Sequence, residues 1–223
     1  MKYVSHNSDT LSLIDNLFTK DEKSKLDRFC TILESDSKDL SELWEYDQSL
    51  GGLGGYAMPS NPTRNPFNTW GKERNLFRSV QYAKSGLVYY PHIPRNVIVD
   101  CGRSLEFLCK YVLNHNKKIP RATDRKMLGK TLDKLHKSGT LHDELYDSCA
   151  HLSRLWNIAK HEIRGFEDDT RRTFSTIDGV VAYFSLRKIH NLLLETIRHP
   201  RVLEVYEIHY DKQLSQKQKP PGY

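Results

Sequence analysis

His151-Leu152-Ser153-Arg154-Leu155-Trp156-Asn157-Ile158-Ala159-Lys160-His161-Glu162-Ile163 is the stretch on which the reading of this chain turns. Read as a helix, Leu141, Leu145, Cys149, Leu152, Trp156, Ala159 and Ile163 recur at steps of three and four residues, which lays them on one apolar stripe. At about 100° per residue, Arg154, Asn157 and His161 then project roughly 140–200° from Leu152. They stack above one another, because helical steps of three and four bring side chains together. A guanidinium, an amide and an imidazole so form a polar ridge that the helix's own core does not need. Two readings of such a ridge are open: a solvated helix face, the ordinary partner of an apolar stripe, or a site.

Outward from this stretch, the sequence predicts three more helices. Pro94 suits a helix start, and Ile98, Cys101, Leu105, Leu108 and Val112 follow the three-four alternation after it. Arg103 and Glu106 stand three apart on another flank; they read as an ion pair, or Arg103 lies near a phosphate. A basic loop, Asn116 to Arg121, leads to a second helix from about Asp124 to Lys137, ended by Ser138-Gly139. The ridge-bearing helix runs from about Leu141 to Gly165. After the charged loop from Phe166 to Arg172, a last helix starts near Ser175 or Thr176 and passes through Val181, Leu186, Ile189, Leu193 and Ile197. His199-Pro200 stops it, and His190 on it reads as a partly buried structural histidine.

Arg154, six intervening residues and His161, placed late in a helical bundle, resemble the R-x(4–6)-H motif of the HEPN superfamily. Cys101-Gly102-Arg103-Ser104-Leu105-Glu106-Phe107-Leu108-Cys109-Lys110 is similar to the first bundle helix of many such domains, so the resemblance spans roughly residues 94–200. It implies an all-α, HEPN-like four-helix bundle with an N-terminal helical extension. Catalytic members of the superfamily are metal-independent endoribonucleases whose site forms where two bundles pair. The resemblance therefore implies a cytoplasmic homodimer that acts on RNA without metal or cofactor. Its setting would be toxin–antitoxin or antiviral defence, with an antitoxin or regulatory protein as a further partner. In one respect the chain departs from the pattern: nuclease members often carry a polar residue directly after the arginine, and here it is Leu155. Asn157 takes that place in the catalytic reading. The leucine favours the alternative, a non-catalytic HEPN-type module that dimerises or binds a nucleotide or a protein.

The chemistry of the ridge suits such a reaction. RNA carries its own nucleophile, the 2′-hydroxyl, so the protein must take its proton and stabilise charge growing on the phosphate. Histidine titrates near neutral pH and suits the first task, for which His161 is the candidate. Arginine stays charged and offers phosphate a planar fork, which suits Arg154 to the second. Asn157 can hold the imidazole or a phosphate oxygen. Lys160 and Arg164 flank the ridge and can bind the RNA backbone, with Arg103 as a further candidate cation.

The remaining sequence sets the frame. With 223 residues, 38% hydrophobic and 28% charged, the chain can bury a substantial core. Its longest apolar runs, such as Val180 to Phe184, are too short to span a bilayer, and no signal peptide is read at Met1 to Asn7. A formal charge of +6 permits a polyanionic partner. Cys30, Cys101, Cys109 and Cys149 are scattered within amphipathic patterns and read as buried thiols of a reducing compartment. The dispersed histidines show no metal-ligand spacing. Residues 1–93 divide into amphipathic helices and a Gly/Pro-rich loop. In the helical part Leu11, Ile14, Leu17 and Phe18 share one face, and Thr19-Lys20-Asp21-Glu22 has the form of a capping box. Gly51-Gly52-Leu53-Gly54-Gly55 reads as a turn. In the loop beyond it, Tyr56, Phe67 and Trp70 either pin the loop to the body or stack on single-stranded nucleic acid, with Arg64 and Lys72 nearby. The second possibility makes a basic RNA-binding protein the third functional reading. Residues 94–200 form the bundle, and residues 201–223 a short segment and a disordered tail.

Overall fold

The computed structural model describes residues 3–34, 75–76, 78–79, 82–83, 94–115, 127–161 and 174–197. Among them the chain is all-α, with six helices and no strand: α1 (Ser8–Leu17), α2 (Lys20–Glu34), α3 (Pro94–His115), α4 (Leu128–Lys137), α5 (Asp143–Lys160) and α6 (Thr176–Thr196). Residues 75, 76, 78, 79, 82 and 83 are also helical. The glycine cluster, the aromatic loop from Tyr56, Arg164 and the C-terminal tail lie outside the described residues.

α6 is the central helix. Its buried positions run around the whole circumference, from Ile177 through Val180, Tyr183, Phe184 and Leu186 to Leu194, the pattern of a helix covered on every side. It packs on α1, α2, α3 and α5. α3 in turn contacts α4, α5 and α6, and α5 contacts α4 and α6, so α3 to α6 form one bundle. The N-terminal helices join the same core. Leu13, Ile14, Phe18, Leu26, Phe29 and Leu33 belong to one continuous apolar cluster with Leu105, Leu152 and Phe184. Phe29 meets the Phe184 ring edge-on at 4.9 Å between centroids, a favoured aromatic geometry.

Local chemistry sets the helix limits. Thr19 and Glu22 form the expected capping box: the Thr19 backbone N–H donates to Glu22 Oε2 at 2.8 Å and the Glu22 N–H to Thr19 Oγ1 at 3.3 Å. α4 ends in a Schellman motif around Gly139. There the Thr140 N–H reaches Leu135 O at 3.0 Å and the Gly139 N–H reaches His136 O at 2.8 Å. Gly139 sits at φ 69°, where a glycine carries no Cβ penalty. α5 opens at Asp143, two residues later than the periodicity suggests, because His142 Nδ1 accepts the Leu145 N–H at 3.4 Å and serves as N-cap. It closes at Lys160 rather than near Gly165. His161 has left the helical conformation (φ −79°, ψ 123°) while its N–H still bonds Asn157 O. Arg95 of α3 donates Nε to the terminal carbonyl of Ala159 at 2.7 Å, satisfying one of the carbonyls that a helix end leaves open.

Two buried polar knots fasten the fold. Asp178, at the start of α6, accepts hydrogen bonds from Ser5 Oγ, from Thr10 Oγ1 at 2.7 Å and from the Ser175 N–H and Oγ at 2.8 Å each. It thereby ties the N-terminal segment and α1 to α6. His190 is fully buried, more so than its sequence position suggests, with Nε2 2.8 Å from Ser79 Oγ and 3.2 Å from Ser104 Oγ. Burial, and then the Arg187 charge, push its pKa down to about 3, so the ring is neutral and structural at physiological pH.

Candidate polar face on helix α5

The apolar stripe of α5 is buried from Leu145 through Cys149, Leu152 and Trp156 to Ala159, and Leu141 just before the helix is buried with it. Leu155 is buried as well, on the flank of the stripe, so the residue after Arg154 belongs to the core and presents nothing polar to the surface. Trp156 owes its place to α3. Gly102 lies so close beneath it that an added Cβ would stand 1.9 Å from the indole Cγ, and only a glycine lets the two helices approach there.

Opposite the stripe, Arg154, Asn157, Lys160 and His161 are all exposed and Ile158 is half-buried. The face therefore exists, but its members are not held together. Arg154 and His161 are seven residues apart, about 10.5 Å along a helix axis. No hydrogen bond joins the side chains of Arg154, Asn157 and His161 among the described residues. Lys160 turns back over its own helix and sets Nζ 5.0 Å from the centre of the Trp156 ring, a cation–π contact. Arg103 lies on α3, where Nη1 meets Asp100 Oδ1 at 3.3 Å and the guanidinium stands 5.6 Å over the Tyr82 ring. The predicted Arg103–Glu106 pair does not form, because Glu106 is taken by Lys110 at 2.6 Å, one turn further on.

The partners of Arg154 come from a helix that the ridge pattern does not include. α1 lies against α5 and presents Asp9, whose Oδ1 accepts from Arg154 Nε at 2.9 Å. The same oxygen is 2.8 Å from His151 Nδ1. Asp9 is nearly buried, His151 one-fifth exposed and Arg154 about half exposed. Asn7 accepts the Asp9 backbone N–H at 3.0 Å and so caps α1 at the turn that carries Asp9. Arg154 Nη2 also approaches His151 Nδ1, at 2.7 Å. One ring nitrogen cannot donate to the carboxylate and accept from the guanidinium at once. The proton belongs on Nδ1, because a carboxylate facing an imidazole lone pair at that distance would be repelled; the Arg154–His151 contact is then proximity rather than a hydrogen bond. Asp9 thus steers both side chains. It occupies Nε of the guanidinium; Nη2 lies against the His151 ring, and Nη1 makes no hydrogen bond among the described residues. Asp9 also accepts the hydrogen bond from His151 Nδ1–H, which leaves Nε2 as that ring's other nitrogen.

Among the described residues no group of three or more His, Cys, Asp or Glu is arranged to hold a metal ion, and no helix is long and apolar enough to cross a membrane. The four cysteines are buried and unpaired by disulfides. Compared with known protein families, with curated proteins and with solved structures, the chain finds no match in any of the three.

Proposed function

We propose that this protein is a HEPN-type endoribonuclease that cleaves RNA without a metal, through attack of the substrate's 2′-hydroxyl at a site formed between two copies of α5. The carrying observation is the exposed face of α5, where Arg154 is steered by Asp9 through Nε and its guanidinium stays about half exposed. In this reaction His161 takes the 2′-hydroxyl proton. Arg154 neutralises the charge that grows on the non-bridging phosphate oxygens, and a preorganised cation loses little energy in reorganising as that charge appears. Asn157 holds a phosphate oxygen, and Lys160 and Arg164 engage the flanking backbone. Pairing of two copies through this face supplies what one chain lacks, since about 10.5 Å of helix separates Arg154 from His161 in the same chain and an isologous interface brings each against the other's partner. Cytoplasmic action in toxin–antitoxin or antiviral defence, with an antitoxin or regulatory protein as inhibitor, completes the proposal.

A second reading has its own observation. Leu155 is fully buried and Arg154 already has a carboxylate partner, which suits a non-catalytic HEPN-type dimerisation or binding module. Incubation of the full chain with end-labelled RNA in EDTA separates the two. The nuclease reading expects fragments ending in a 2′,3′-cyclic phosphate. Intact RNA across varied sequences and structures would leave the binding module.

A further inference from the structure

Cleavage of RNA by its own 2′-hydroxyl needs two proton transfers. One removes the proton from O2′, and the other supplies a proton to the departing O5′. His161 serves the first in the function proposed above, on which this inference rests, and nothing yet serves the second. The geometry points to His151 as the proton donor to the leaving oxygen, positioned by Asp9, in a composite site whose His161 comes from the second copy of the chain.

Three observations carry this. His151 is the only histidine whose ring lies beside the Arg154 guanidinium among the described residues, with Nδ1 2.7 Å from Nη2, so a phosphate seated on the exposed Arg154 side chain lies within one ring width of His151 Nε2. The Asp9 carboxylate, 2.8 Å from Nδ1 and nearly buried, fixes the ring and its tautomer, the orienting arrangement that acid–base histidines use. Nε2 makes no hydrogen bond among the described residues, and the side chain is one-fifth exposed, so that atom is free to exchange a proton with a bound group.

His151 and His161 are ten residues apart, about 15 Å along a helix, too far for one chain to place both at a single phosphate. Two copies of α5 crossing antiparallel about a two-fold axis through the exposed face, level with residue 156, set the position five residues before that level against the position five residues after it. His151 of one copy then faces His161 of the other, with Arg154 between. In the step, O2′ loses its proton to His161 as the O2′–P bond forms. The P–O5′ bond breaks, and O5′ takes the proton from His151 Nε2. The products are a 2′,3′-cyclic phosphate and a 5′-hydroxyl, and proton exchange with water resets both histidines.

Subunit mixing tests this with full-length protein. His151→Gln and His161→Ala are each expected to be folded, dimeric and strongly impaired. After subunit exchange, a mixed dimer has one site lacking both histidines and one site with both. An equimolar mixture should therefore recover about one quarter of wild-type activity by random assortment. An RNA with sulfur replacing the bridging O5′ at the cleavage position needs no protonated leaving group and should restore His151→Gln but not His161→Ala. Asp9→Asn should lower kcat with little change in KM in the wild type and change nothing further in the His151→Gln background, a split that a merely structural role would not produce. Wild-type protein that cleaves no RNA removes the nuclease reading and this inference together. Active wild type with fully active His151→Gln overturns only this inference, as does a mixture that regains nothing after verified exchange. Failure of the sulfur substrate to rescue would remove the donor role.

Discussion

Gly102→Ala tests how α3 positions the site helix. A methyl group at residue 102 would stand 1.9, 2.3 and 2.4 Å from three atoms of the Trp156 indole, about 1.5 Å inside ordinary van der Waals contact. Alanine favours a helix interior by about 1 kcal/mol over glycine, so in open space the substitution would stabilise. Here the indole is buried and its ring system, not a flexible chain end, receives the methyl. Overpacking on this scale costs about 3 kcal/mol or more, which outweighs the propensity gain and leaves a net loss of about 2 kcal/mol. For a chain of this length that lowers the melting temperature by roughly 4–8 °C. Gly129→Ala is the internal control. It is also helical, nothing lies within 4 Å of its added Cβ, and it should gain about 0.5–1 kcal/mol. Urea unfolding followed by far-UV circular dichroism measures both. A Gly102→Ala protein as stable as Gly129→Ala would refute the packing of α3 on α5 and, with it, the placement of the ridge.

The polar knots and the thiols give three further expected outcomes, and Arg154 gives a fourth. The pKa of His190 is depressed to about 3 in the fold against about 6.5 unfolded. Its neutral form therefore stabilises the protein fully above pH 6.5, and that contribution is lost as pH falls towards 3, by at most about 1.4 kcal/mol per unit. In urea titrations from pH 7 to pH 4, His190→Gln should show a shallower loss of stability with acid than the wild type does. Asp178→Ala strands the hydroxyls of Ser5 and Thr10 and should cost about 3 kcal/mol by chemical denaturation, with earlier proteolysis before Ser8. Burial raises the pKa of all four cysteine thiols. Native protein should therefore resist a thiol-specific reagent that labels all four in denaturant; rapid native labelling would contradict the packing. Arg154→Lys keeps a charge but loses the fork, and should lower the RNA cleavage rate far more than it weakens RNA binding.

The stripe of α5 and the alternation of α3 were legible because burial there is periodic along one helix. The capping box at Thr19 and the stop at Ser138-Gly139 were legible because the chemistry of each is local. What escaped is long-range. α5 ends at Lys160, where Arg95, 64 residues away, satisfies the Ala159 carbonyl, and the apolar periodicity that continues to Ile163 does not announce that end. Asp9 reaches Arg154 across 145 residues because α1 lies against α5 and not elsewhere, a choice that amphipathic periodicity does not encode. His151 stood inside the decisive stretch but beside the stripe's edge, and only Asp9 gives it an oriented nitrogen. The one usable hint was Gly102, a glycine inside an otherwise strong helical pattern, which marks close approach by a neighbour. Arg103 shows the reverse case: the i,i+3 rule pointed to Glu106, which Lys110 takes, while Arg103 meets Asp100 three residues before it.

The most direct measurement uses a cleavage position mapped on one RNA and the same oligonucleotide with a single 2′-deoxy nucleotide there, incubated with full-length protein in EDTA. The attacking oxygen belongs to the substrate in this account, so the all-RNA strand should be cut to a 2′,3′-cyclic phosphate while the 2′-deoxy strand stays intact at that position. Equal cutting of both strands, or cutting that appears only on addition of a divalent metal, would contradict it.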